Sequence, residues 1–144
     1  MIWLAEDCIF CKILNKAAPA SFVYEDDHVA AFLSNRPVNE GHTLVVPKKH
    51  YVNIYDMPVD EAAYLFKVVK RVAHAVRDGL NAEGVRIVQN NGSAAGQVVF
   101  HFHMHVIPMK PHNAFGHDGA FRDSTKPRSP EELEKDAEKI LRKI

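Results

Sequence analysis

Apolar residues recur along the chain with two different periods. Leu65, Val69, Val72, Val76 and Leu80 are spaced 4, 3, 4 and 4 apart. That spacing lays them on one stripe and predicts a long helix from Pro58 to about Asn81. Leu133, Ala137, Ile140, Leu141 and Ile144 form a second stripe. It follows Ser129-Pro130-Glu131-Glu132, an N-cap with Pro at N1 and Glu at N3. A short first helix over 8–16 carries Cys8, Cys11 and Lys12, with Pro19 as its stop. The strands read as Phe22-Val23-Tyr24, Val29 to Leu33, Thr43 to Val46, Val85 to Val88 and a long one from Val98 to Pro108. The first two make a hairpin around Glu25-Asp26-Asp27. Pro47 stops the third and Gly84 introduces the fourth. Arg36 to Gly41 and Asn90 to Gln97 are loops, and Pro111 to Arg128 is a long loop without periodicity. Strands in blocks, interrupted by one long helix, give an α+β class with a mostly antiparallel sheet.

Length and charge narrow the possibilities. The chain has 144 residues, room for one domain. Its 18 Lys and Arg balance 18 Asp and Glu. A protein that coats DNA or RNA carries a basic excess, so no nucleic acid polymer is expected as partner; a small anion needs only local donors. No apolar run approaches the roughly 20 residues of a membrane span, and the start lacks a signal-peptide core. The expectation is a cytoplasmic protein with no membrane partner. Cys8 and Cys11 form a C-x-x-C pair, for which metal, redox and free-thiol roles all compete.

The densest chemistry is Phe100-His101-Phe102-His103-Met104-His105-Val106-Ile107-Pro108. Side chains alternate along a strand, so His101, His103 and His105 share one face, and Phe102, Met104 and Val106 point to a core. Three imidazoles in register against an apolar opposite face argue against a surface accident. Same-face neighbours lie about 6.7 Å apart and the outer two about 13 Å, so all three cannot hold one ion. At least one is therefore available for acid–base or nucleophilic work near neutral pH.

This segment resembles the signature of the histidine triad (HIT) superfamily of nucleotide hydrolases and transferases. The likeness extends to Cys8-Ile9-Phe10-Cys11-Lys12-Ile13, Ala31-Phe32-Leu33, Gly41-His42-Thr43-Leu44-Val45-Val46-Pro47-Lys48 and Asn91-Gly92 through Gly96-Gln97. It covers about 8–108 of a single domain, with a C-terminal loop and helix over 109–144. The resemblance implies a five-stranded HIT-like sheet and a Hint-like bacterial type. It implies that His103 attacks the α-phosphorus of a nucleotide, forming a nucleotidyl-histidine that water releases. His105 would bond the phosphate or protonate the leaving group, with His42 orienting nearby. Asn90 and Gln97 would hold the phosphate or leaving group, and Phe10, Ile13 and Phe32 would line the base and sugar slot. A structural zinc ion would sit between Cys8, Cys11, His50 and His101. The implied ligand is a purine nucleotide or its conjugate, and the implied assembly is a homodimer.

The chain departs from the family at two points. Ser34 stands where many relatives have an acidic residue that accepts from ribose hydroxyls, and a serine hydroxyl is the weaker acceptor. Val98 stands where some relatives have Ser or Thr on the phosphate. Three function classes follow. The first is an enzyme cleaving nucleoside phosphoramidates or dinucleoside polyphosphates. The second is a non-catalytic, zinc-stabilised nucleotide-binding module. The third is a metal-dependent oxygenase or hydrolase, against which the C-x-x-C pair and the lack of an acidic ligand on the histidine strand both speak.

Overall fold

The strand Val29–Leu33 is buried at all five positions. A strand alternates its side chains, so both faces of the sheet must be covered there. The computed structural model, which describes residues 7–111 and 127–144, shows by what. Five strands run β1 (Phe22–Glu25), β2 (Val29–Leu33), β3 (Thr43–Pro47), β4 (Gly84–Val88) and β5 (Met104–Met109). They form one sheet of order β1-β2-β3-β5-β4 with every pair antiparallel. On one face, Val23, Val29, Ala31, Leu33, Val45 and Val106 meet two helices. On the other, Ala30, Phe32, Leu44 and Val46 meet Cys8, Phe10, Cys11 and Ile13 of a short N-terminal helix.

The helices follow their patterns. Helix α1 spans Ile9–Leu14 and is capped by Cys8. Helix α2 spans Val59–Leu80 and buries Leu65, Val68, Val69, Val72, Ala75 and Val76, the predicted stripe thickened by its i±1 neighbours. Asp60 and Glu61 in its first turn suit the dipole, and Asn81 closes it in the left-handed region at φ 54°. Helix α3 (Pro130–Leu141) begins with a complete capping box between Ser129 and Glu132. It packs on α2 and β1 of its own chain. At Gly79 the two helices are in backbone contact, since an added Cβ would lie 2.4 Å from the Lys139 carbonyl oxygen. Among the described residues no helix is long and apolar enough to cross a membrane.

Two expectations about boundaries need correction. Helix α1 ends at Leu14, well before Pro19, because Asn15 caps it and Lys16 turns into the left-handed region at φ 62°. The last strand starts at Met104, not Val98. Its partners explain this. β3 pairs with β5 only as far as Val45↔Met104, and β4 only as far as Val88↔His105. Beyond them Pro47 has no N–H to offer, and the Phe102 N–H bonds the Tyr51 carbonyl instead, at 2.7 Å. Most of the 111–128 loop lies outside the described residues.

Candidate functional site

The face of the sheet under α1 carries the chemistry. Register places Phe22, Phe32, Leu44, His105 and Val88 in one cross-strand row over all five strands. Residues directly opposite in a ladder share a face. His105 therefore projects beside the apolar patch of Phe32 and Leu44, while Met104 and Val106 go to the helix side. The alternation continues through residues 101–103 although they are outside the ladder. Phe102 is buried with the helix-side core, and the rings of His101 and His103 both meet Phe10 of α1 edge-on, at 5.9 and 5.1 Å.

His101 separates from the other two histidines and joins Cys8, Cys11 and His50. Cys8 Sγ lies 3.4 Å from His101 Nδ1, Cys11 Sγ lies 3.3 Å from His50 Nδ1 and 3.5 Å from His101 Nδ1, and the two Nδ1 atoms are 3.2 Å apart. All four candidate ligand atoms fall within 4.8 Å of one another. A tetrahedral ion with Zn–S bonds of about 2.3 Å and Zn–N bonds of about 2.0–2.1 Å has S···N edges of about 3.5 Å and an N···N edge of about 3.3 Å. The cluster thus fits zinc in ligand type and in spacing. Burial, with Cys8 beside it, pushes the Cys11 thiol up to about 12; a divalent cation reverses that balance and deprotonates coordinating thiols. Beyond the ligands, His101 Nε2 donates to the Pro47 carbonyl at 2.9 Å, which leaves Nδ1 as its ligating nitrogen.

The remaining imidazoles form a chain whose tautomers follow from one end. The Val38 N–H donates to His42 Nδ1 at 3.0 Å, so that nitrogen is unprotonated and the proton sits on Nε2. His42 Nε2 then donates to His105 Nδ1 at 2.9 Å, which puts the His105 proton on Nε2. His103 Nδ1 lies 2.7 Å from the His101 carbonyl, an acceptor only, so it carries the His103 proton and Nε2 keeps its lone pair. The His103 and His105 rings are 4.8 Å apart. Burial first, then the neighbouring His103, lowers His42 to about 3 and His105 to about 3. Burial likewise takes His101 down to about 4. At neutral pH His42, His101 and His105 are neutral rings, and His105 holds its donor N–H beside the His103 ring.

The other predicted residues divide. Phe10, Ile13 and Phe32 are buried together under α1, with Phe10 edge-on to Phe32 at 5.4 Å. Gln97 is buried and its amide is engaged within the protein. Its Oε1 accepts from the Gly92 N–H at 2.8 Å, and its Nε2 donates to the carbonyls of Val52 and Val99 at 2.7 and 3.1 Å. It shapes the glycine loop, which turns tightly through Ser93–Ala95. Asn90 stands at that loop's start, with its side chain facing Gly96. Val98 is 79% exposed. The Ser34 hydroxyl accepts from the Arg36 N–H at 3.3 Å, inside the loop that leads to His42.

Several groups escaped the sequence. The Val38 N–H and the Pro47 carbonyl are backbone atoms, and no residue pattern announces them. Asp26 accepts from Tyr24, Tyr64 and the N–H groups of His28 and Val29. Burial raises its carboxyl, but those four donors override that and hold it below the usual carboxylate range. Asp136 is 1% exposed and takes a bidentate contact from Arg128. One signal was present: an acidic residue three after Leu133 and four before Ile140 lies on the apolar stripe itself.

The comparisons with known proteins agree with this geometry. A family model described as HIT domain matches residues 15–112. A hypothetical histidine triad nucleotide-binding protein of Sulfolobus tokodaii superposes with TM-score 0.84 at 39% identity, covering 94% of this chain and 91% of that one. A zinc-bound histidine triad family protein of Mycobacterium smegmatis superposes with TM-score 0.80 at 37% identity, over 96% and 93%. The adenylylsulfatase HINT3 of Arabidopsis thaliana is 37% identical over 107 residues, 74% of this chain and 54% of that protein.

Proposed function

The chain belongs to the HIT family, and from that membership we propose that it cleaves nucleotide conjugates at the α-phosphate, with nucleoside phosphoramidates as first choice of substrate and dinucleoside polyphosphates as the second. One observation carries the reading: the hydrogen bond from His103 Nδ1 to the His101 carbonyl, which makes Nε2 the nucleophilic nitrogen. The His103 Nε2 lone pair attacks the α-phosphorus, the bond to the amine or phosphate leaving group breaks, and a nucleotidyl-histidine forms. His105 Nε2–H donates to a phosphate oxygen or to the departing atom. Water then attacks the same phosphorus, releases the nucleoside monophosphate and restores neutral His103. His42 keeps His105 in the donating tautomer. The adenylyl substrate named for the Arabidopsis relative is of the same bond class.

Cys8, Cys11, His50 and His101 hold zinc in this reading. Four protein ligands fill a tetrahedron and leave no open position, so the ion is structural and ties α1 to the segment before β5. The Mycobacterium relative, described as zinc-bound, supports the choice of metal. Phe10, Ile13 and Phe32 back the base and sugar, and the loop from Asn90 through Gln97 to Val98 offers backbone N–H groups to the phosphate. Ser34 meets the ribose only weakly, because its hydroxyl already accepts from Arg36. The same reading takes a purine nucleotide as ligand, a homodimer as assembly and the cytoplasm as location.

The test is release of AMP from adenosine 5′-phosphoramidate by the zinc-loaded protein, with His103→Ala beside it. The native protein is expected to turn over, and the variant to fall by at least about a thousandfold. Equal rates from the two proteins would remove His103 from the mechanism.

A further inference from the structure

The loop from Ser34 to Gly41 exists, in this structure, around the His42 ring. Ser34 N–H bonds the His42 carbonyl at 2.9 Å, His42 N–H bonds the Asn39 carbonyl at 3.0 Å, and Val38 N–H bonds the His42 ring. The ring's tautomer, and with it that of His105, depends on where this loop holds one backbone N–H. The loop is held on one side by the Asn39 side chain, which donates to the Pro108 carbonyl at 2.9 Å, and on the other by Arg128 and residues of α3. Arg128 N–H donates to the Asn35 carbonyl at 2.9 Å. The Arg128 guanidinium is fixed by Asp136, with Nη2 2.9 Å from both carboxylate oxygens and Nε 3.1 Å from one. Lys139 reaches Glu40 at 3.0 Å. Asp136 is the polar residue on the buried side of α3. Removing one partner of such a pair leaves a buried charge uncompensated, so the arrangement is tightly specified.

We infer that α3 is a positioning element for the reaction. Asp136, through Arg128 and together with the Lys139–Glu40 contact, sets the 34–41 loop so that Val38 fixes the tautomer of His42 and hence the proton on His105 Nε2. The catalytic half of this inference rests on the function proposed above, but the tautomer half does not. In this inference Arg128, Asp136 and Lys139 act on the chemistry through the loop and His42. Arg128, Asp136 and Lys139 lie outside the span of the family match, which ends at residue 112.

The experiment reads the tautomer directly, by 15N chemical shifts of the His42 ring in the full-length zinc-loaded protein. The wild type is expected to show one unprotonated Nδ1 and one protonated Nε2. In Asp136→Asn the two resonances should move toward each other as the second tautomer becomes populated. On adenosine 5′-phosphoramidate kcat should fall about 10- to 100-fold, with KM within about twofold and zinc content unchanged. Lys139→Ala, an exposed substitution, should move the same resonances in the same direction by less, and it carries the test if Asp136→Asn fails to fold. Unchanged His42 resonances would overturn the inference, whatever happens to the rate. A wild type without turnover whose resonances still respond to the variants would refute the proposed activity and leave the positioning role standing.

Discussion

An imidazole offers two nitrogens, and its role depends on which one holds the proton. Here backbone atoms make that choice, the Val38 N–H for His42 and the His101 carbonyl for His103. The burial that keeps these rings neutral has a consequence for stability. His42 and His105 are both lowered to about 3 in the folded protein, by burial first. In the unfolded chain they titrate near about 6.5. Below that pH the unfolded state binds protons that the folded state refuses, so stability falls as pH falls. The urea midpoint should therefore drop between about pH 7.5 and 5. In His42→Asn that drop should be shallower, and an unchanged slope would contradict the neutral pair. At this scale the sequence was half legible. It showed the residue types, and the resemblance implied roles for them. It was silent on proton positions, because these are set by main-chain groups that every residue carries.

Helices carry most of the stability that local pattern can predict. Leu65 is fully buried on α2 against the sheet, so Leu65→Ala should cost about 2–5 kcal/mol in chemical denaturation. Helix α1 is different in kind. It has only six residues, too few to stand alone in water, and it is held by Phe10, Ile13 and the Cys/His cluster. Chelation of bound zinc, or Cys11→Ser, should lower the melting temperature, and activity should disappear along with protection of α1 amides from exchange. Rapid loss of turnover with α1 still protected would instead place the ion in the chemistry. Both long helices were readable from their stripes. The start of β5 was not, because alternation of side chains is a property of extended chain and does not need a ladder. His101 to His103 alternate, but their neighbours on both sides have ended.

Across the whole molecule, two sheet faces serve two purposes. One is sealed by α2 and α3. The other, under α1, combines an apolar patch with the imidazoles, and the α+β class and its antiparallel pairing followed from the order of strand and helix patterns alone. What pattern could not supply was the return of the C-terminus to the 34–41 loop, since contacts between residues so distant in sequence leave no local period. The cysteine–histidine cluster shows the same non-local assembly, with Cys8 and His101 separated by 93 positions. Translation gives that separation a duration. The ribosome makes Cys8 and Cys11 well before His101, and at about 5–20 residues per second the chain waits on the order of ten seconds between them. During that interval two thiols leave the exit tunnel with neither of their later imidazole companions fully assembled. Newly made protein is thus the form most open to oxidants and to capture of the wrong metal, and yield in living cells should track the thiol-reducing capacity and zinc supply at the moment of synthesis.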